Sequence, residues 1–403
     1  MRPQHLGRSA LCCVLVVLLG PETCLAADDP PLTPGFEHFY NNEYDEALAI
    51  FEESARLRPH DADPCNWVAQ ALLYREMYRN GALESQLVTG SNSFLRRQKM
   101  EVSPQNKALF SDSVSRAIAL SEARLRENRK DIPALHALAV SHGLRANFLF
   151  LVEKSWMQAL HESIAGRKAN DQILEIDPNV IEAHLLRGLS EYVVSCLPAY
   201  LRLLGSFNGF HGDKENGIRQ LQMVSQSRAG NRFDAAILLA AIYRREHRPK
   251  DAIPLLTRLA QTFPRNYLFR LEQVQMYSDL GDKQAALRIL SDMEGAVRTR
   301  APGYGRLSME RVQYARGNLF FWYGDLQPSL EDLKLVTVRA NDLDLSTAVM
   351  AWMRLGQVYD LTGDHPRAEE AYKAAISTAP NSEVAKEAAG YISKPYSRQK
   401  TVK

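Results

Sequence analysis

Between Ala351 and Pro380 the apolar positions follow a helical period, stop, and start again. Leu355, Tyr359 and Leu361 fall on one face of a first helix, and Ala368, Tyr372 and Ala375 on one face of a second. Gly363-Asp364 makes the turn between them, and Pro380 cannot continue the second helix. Small residues at Gly356 and Ala368 let the two helices approach closely. Weaker copies of the pattern precede it. Leu239, Tyr243, Ala252, Leu256 and Pro264 form one; Tyr277, Gly281, Ala286 and Leu290 form the next. Tyr243 to Tyr277 and Ala252 to Ala286 are both steps of 34 residues. Gly317, Phe320, Gly324 and Leu333 form another, Gly188 opens a copy after Pro178, and Gly35, Tyr44, Ala47, Phe51 and Pro59 hold the spacing near the start. The pattern predicts an array of helix pairs over most of residues 28–393.

The copies are uneven. The pattern loosens from Gly81 to Lys130, where Thr89–Ser93 and Ser103-Pro104 punctuate it. A long helix is expected from about Asn106 to Glu127, then a pair at Ile132–Leu151 and Trp156–Ile176. The helix after Val180 is expected to kink at Pro198 and end before the glycine-rich loop Gly205–Asp213, with Asp213 capping the next helix. That loop is also a candidate contact site, since long loops often carry function. Ser382–Ile392 reads as a helix covering the last repeat, and Ser393–Lys403 as a polar, basic, frayed tail. The resulting division is 1–27, 28–80, 81–230 (irregular), 231–381 (regular), 382–393 and 394–403.

Trp352, Leu355, Gly356, Tyr359, Ala368, Tyr372 and Pro380 match W-x2-L-G-x2-Y, then A-x3-F, then P, with Tyr372 standing in for Phe. The segment resembles the tetratricopeptide repeat, a 34-residue helix–turn–helix unit. The resemblance implies an all-α fold, an α-solenoid coiled as a right-handed superhelix. The stretch Leu203–Leu221 (LLGSFNGFHGDKENGIRQL) resembles a glycine–aspartate loop of the eukaryotic inclusion-body clearance family, also built of these repeats.

In such arrays the first helix of each repeat lines a concave face that binds a partner peptide. Carried onto this sequence, the groove positions are Met353, Gln357 and Asp360 in the last repeat and Tyr314, Asn318, Phe321 and Trp322 in the one before. Further back they are Leu271 and Gln275, then Ile237, Arg244 and Arg245. The Tyr314–Trp322 group pairs ring area with an amide, which suits peptide recognition. Phe320, Phe321 and Trp322 cannot all point one way on a helix, so at least one lies off the core face. The lysine- and asparagine-based clamp of chaperone-tail binders is matched at Asn318 alone.

Composition narrows the function. The 403 residues are 45% hydrophobic and 24% charged, with a net charge of +2. That balance argues against bulk capture of nucleic acid. No interior apolar run reaches the length of a membrane span. Residues 1–27 read as a secretory signal peptide, with Arg2 and Arg8, the apolar run Ala10–Leu19, breakers Gly20-Pro21 and small residues at Ala26-Ala27. Its removal takes away Arg2, Arg8 and Glu22 and leaves about +1. Cys12, Cys13 and Cys24 leave with it, and the remaining Cys65 and Cys196 are expected to be separate thiols.

Phosphate-loop, dinucleotide-binding and nucleophile-elbow motifs are missing, His161-Glu162 lacks its second histidine at Ala165, and the mature chain has no C-x-x-C. No catalytic, cofactor or metal site is expected. The reading is a non-catalytic interaction scaffold that binds a protein or peptide outside the cytoplasm, periplasmic or extracellular in a bacterium. The alternative is an envelope-assembly or export-machine factor docked at the membrane surface, aided by Lys394, Arg398, Lys400 and Lys403.

Overall fold

The computed structural model describes residues 32–83, 100–196 and 212–398. The chain divides into two compact units, and the described parts of them are 32–264 and 265–398. The expected signal peptide, the Thr89–Ser93 loop, the kink at Pro198, most of the Gly205–Asp213 loop and the last five residues lie outside the described residues. Those described form 17 α-helices and no strand.

The N-terminal unit holds ten of them: α1 (Pro34–Tyr40), α2 (Tyr44–Leu57), α3 (Ala62–Arg79), α4 (Pro104–Glu127), α5 (Ile132–Phe148), α6 (Trp156–Ile176), α7 (Ala183–Ser195), α8 (Lys214–Gln226), α9 (Arg232–Arg245) and α10 (Pro249–Thr262). Each packs on the next in sequence, as helix-pair repeats do. A π turn, Leu149–Glu153, extends α5. Ile132–Glu153 has the length and hydropathy of a membrane span, but its most apolar stretch is 67% buried inside the unit. Asp61, Ser103, Asp131 and Asp213 each accept a backbone N–H at the start of α3, α4, α5 and α8, so polar caps set these helix starts.

Two features of this unit exceed a simple stack. Gly188 on α7 and Gly217 on α8 let the backbones touch: a Cβ on Gly188 would sit 2.8 Å from the carbonyl oxygen of Gly217, and one on Gly217 2.6 Å from that of Gly188. In addition, α1 meets α9. The buried Tyr40 hydroxyl donates to Asp234 Oδ1 at 2.8 Å, and its ring packs on Phe233 and Phe263 at 5.6 and 4.9 Å. Burial and the Asp234 carboxylate together hold the Tyr40 phenol well above its ordinary range.

The C-terminal unit holds α11 (Tyr267–Leu280), α12 (Lys283–Arg298), α13 (Met309–Tyr323), α14 (Leu326–Val338), α15 (Leu345–Leu361), α16 (His365–Thr378) and α17 (Glu383–Ser393). Consecutive helices pack, and α15 also touches both α13 and α17. Gly363 takes the turn between α15 and α16 with φ 84°, where a side chain would be strained. The pairing rule is one of size. Gly356 faces the Tyr372 ring, with a Cβ 2.4 Å from it; Gly317 faces Leu333; and Gly35 of the N-terminal unit faces Phe51. Each pair is a small residue on a first helix and a large one sixteen positions on. The capping helix is observed one residue later than expected, with Ser382 as its N-cap.

Of the two cysteines among the described residues, Cys65 on α3 is buried and Cys196, which follows α7, is half-buried. Burial also pushes the Cys65 thiol above its usual range. In the folded protein a maleimide is therefore expected to modify Cys196 before Cys65. Cys65 should follow only on unfolding. Equal native rates would show that α3 opens readily.

Candidate partner-binding site

The groove positions inferred from the repeat pattern do not share one environment. Phe321 is fully buried, and Tyr314, Met353, Gln357 and Arg244 are buried as well. Phe321, Tyr314 and Met353 belong to the core cluster that Leu333, Val336, Val358 and Tyr372 complete. These five correct the sequence reading: on helices packed on both sides, outward positions face the neighbouring first helix and not solvent. Leu271, Asn318, Gln275 and Arg245 are half-buried. Gln275 donates to Asp279 at 2.7 Å, and Arg245 lies 5.7 Å from the centre of the Tyr192 ring. Arg244, Arg245, Leu271 and Gln275 do not join the C-terminal cluster described next.

Trp322 is 57% exposed, large for an indole on a packed helix. It stands at the end of α13 beside Phe321, edge to face with centroids 5.2 Å apart. Beneath both lies Arg354 of α15, 8% exposed, whose guanidinium carbon is 4.1 Å from the Phe321 ring centre and 4.9 Å from that of Trp322. Arg354 Nη1 donates to Gln357 Oε1 at 2.6 Å, while its Nε has no partner. Among the described residues no carboxylate forms an ion pair with it. Burial accordingly lowers its pKa. The stacked rings supply part of what the missing anion would. On α13 the buried Asn318 Oδ1 also lacks a hydrogen-bond donor.

The next element was not legible in the sequence. Instead of fraying, Lys394–Arg398 runs back over the ends of α15 and α13. The Tyr396 N–H donates to Asp360 Oδ2 at 2.7 Å, and the Tyr396 ring packs on Tyr391 and Phe321 at 5.2 and 6.1 Å. The Arg398 guanidinium donates to the Phe321 carbonyl oxygen and lies 5.0 Å from the Phe321 ring centre. Asp360, with no exposed side-chain surface, is the hub. It also accepts from the Tyr372 hydroxyl and contacts His365 Nδ1, both at 2.7 Å. The hydrogen bond to Asp360 raises the His365 pKa above its ordinary value.

Two observations place this architecture among known proteins. Residues 183–300 match the family model described as Iml2/Tetratricopeptide repeat protein 39, a range that contains the Leu203–Leu221 stretch. Residues 337–383 match a tetratricopeptide repeat model. The chain thus carries tetratricopeptide-repeat sequence in these two stretches. Solved structures similar to this repeat protein include yeast Tom70, at 12% identity and TM-score 0.37, covering 89% of this chain and 88% of that one. The Cut9-Hcn1 hetero-tetramer of the APC/C has 13% identity and TM-score 0.34, covering 90% and 89%. The human IFIT1 dimer with PPP-AAAA has 14% identity and TM-score 0.31, covering 92% and 98%. No curated protein sequence matches the chain. Among its described residues, no group of three or more His, Cys, Asp and Glu is placed to hold a metal ion.

Tetratricopeptide repeats indicate a scaffold for protein partners, and no family with an enzymatic activity is matched. A signal that finds Arg354 does exist in the sequence. It is the one charge in the mostly apolar stretch Ala348–Val358, where a charge needs company.

Proposed function

We propose that this repeat protein is a non-catalytic adaptor outside the cytoplasm, and that it takes a partner protein on the α13–α15 surface of its C-terminal unit. The supporting observation is the exposed Trp322 ring, seated on Arg354 beside the unsatisfied Asn318 carbonyl. An exposed indole backed by a rigid cation offers a partner large apolar area at little ordering cost. Arg354 would gain from a partner's carboxylate, because a buried guanidinium without an anion is a standing cost. The extracytoplasmic setting is supported by the signal-peptide pattern of residues 1–27.

The test is capture from an extract of the source cell's envelope with wild type and Trp322→Ala side by side. Because Trp322 is largely exposed, the change should cost about 1 kcal/mol of stability or less, leaving helicity intact. A bound partner should be lost or weakened about thirtyfold or more. Equal retention by a folded Trp322→Ala chain would remove this surface from the reading. Phe321 is unsuitable for the same test, since removing a fully buried ring opens the core.

A further inference from the structure

We propose that Lys394–Arg398 is a self-ligand. It fills a docking site for an extended protein segment that carries an aromatic residue two positions before an arginine, and such a segment from a partner displaces it. The proposal rests on the adaptor reading above and names the chemistry of the segment.

The strap binds as an extended peptide would. It has no helix or turn of its own. Its anchors are one backbone N–H and two side chains at alternate positions, Tyr396 and Arg398, which an extended chain presents on one side. The site meets each with a matching group. The buried Asp360 carboxylate takes the Tyr396 N–H, a contact that any residue but proline can make. Phe321 and Tyr391 receive the Tyr396 ring. The Phe321 carbonyl, in the last turn of α13, takes the guanidinium of Arg398, where the negative end of a helix favours a cation. Gly324, just past that helix, leaves room: Arg398 Nη1 lies 3.4 Å from the position its Cβ would occupy.

The strap is also built to leave. Lys394, Pro395, Ser397 and Arg398 remain exposed, so little apolar area holds it down. Arg354 and Arg398 both lie against the Phe321 ring, at 4.1 and 5.0 Å, and two cations on one ring repel each other. A segment tethered this closely acts at an effective concentration in the millimolar range. It can therefore exclude weak ligands while yielding to a partner that also engages Trp322.

The experiment uses a capped, fluorescein-labelled peptide of sequence Ser393–Arg398, titrated into three full-scale proteins. These are the intact chain, a chain lacking 394–403, and an intact-length chain with Tyr396→Ala and Arg398→Ala. Fluorescence anisotropy reads binding, and circular dichroism reads folding. The peptide is expected to bind both altered chains at least about tenfold more tightly than the intact one. A peptide with alanine at the tyrosine and arginine positions should lose that binding. Equal binding to all three, or none to folded altered chains, overturns the proposal. If the shortened chain misfolds, the doubly substituted one decides. Failure here leaves the adaptor reading untouched, because that reading stands or falls on capture through Trp322.

Discussion

Replacing Asp360 with alanine will lower the stability of the C-terminal unit by about 3 kcal/mol. The carboxylate has no exposed surface and gathers the Tyr372 hydroxyl, His365 Nδ1 and the Tyr396 N–H, so it links α15, α16 and the strap in one contact. Hydrogen bonds to a charged acceptor are worth about 1.5–3 kcal/mol each, and they are not additive when they share an atom. Alanine also leaves the hydroxyl of the fully buried Tyr372 without its acceptor. Tyr372→Phe removes one of the three contacts and should cost about 1.5 kcal/mol. Urea unfolding followed by tryptophan fluorescence and helicity reads both, and a loss below about 1 kcal/mol for Asp360→Ala would show that the carboxylate does not join these elements.

The same hub gives a pH signature. Asp360 raises the His365 pKa, helped by a backbone group of Ile392 and by Glu369, so folding favours the protonated ring. A raised native pKa means the contribution is complete below about pH 6.5 and is lost as pH climbs through the native value. The urea midpoint should fall from about pH 6 to about pH 9, and His365→Gln should flatten that slope.

The second large effect lies in the N-terminal unit. Gly217→Ala is expected to destabilise the chain by about 2 kcal/mol or more. On helix propensity alone the change should help by about 1 kcal/mol. The new methyl, however, would lie 2.6 Å from the Gly188 carbonyl oxygen and 2.8 Å from the Tyr192 nitrogen. Those are backbone atoms, which cannot rotate away, so α7 and α8 must separate and lose packing along their whole contact. Gly188→Ala should behave alike. The double variant should cost less than the two singles together, since one displacement accommodates both methyls. Gly295→Ala on α12 is the control: its Cβ meets nothing within 4 Å, and it should stabilise by about 0.5–1 kcal/mol. A neutral Gly217→Ala would mean that the helix pair is loosely packed.

These residues show what was legible beforehand. The Gly356–Tyr372 pair was readable because the repeat places a small and a large residue at fixed positions, and the structure puts them in contact. Helix limits were readable where a cap or a proline marks them, as at Ser103-Pro104 and Asp213. Which aromatic residue stays exposed was not. Four neighbouring aromatic residues, Phe320–Tyr323, turn about 100° per residue, and which of them enters the core is set by packing from α14 and α15. The pattern marked Phe321 and Trp322 alike, yet one is sealed and the other open. The strap escaped notice because its basic, polar composition reads as solvated chain. Tyr396, one ring in an otherwise polar run, is the residue that gives it away.

The contact between Tyr40 and Asp234 has a mechanical consequence. A linear array of repeats frays from its ends, because a terminal repeat has one neighbour and inner ones have two. In the N-terminal unit α1 is held by α9, 194 residues away in sequence, so its first repeat is not terminal in that sense. Loss of the opening hairpin must also expose Phe233 and Phe263, which couples the two extremes of the unit in a single cooperative transition. Amide exchange should accordingly be as slow in α1 and α2 as in the middle of the unit, the opposite of the gradient an open-ended array displays.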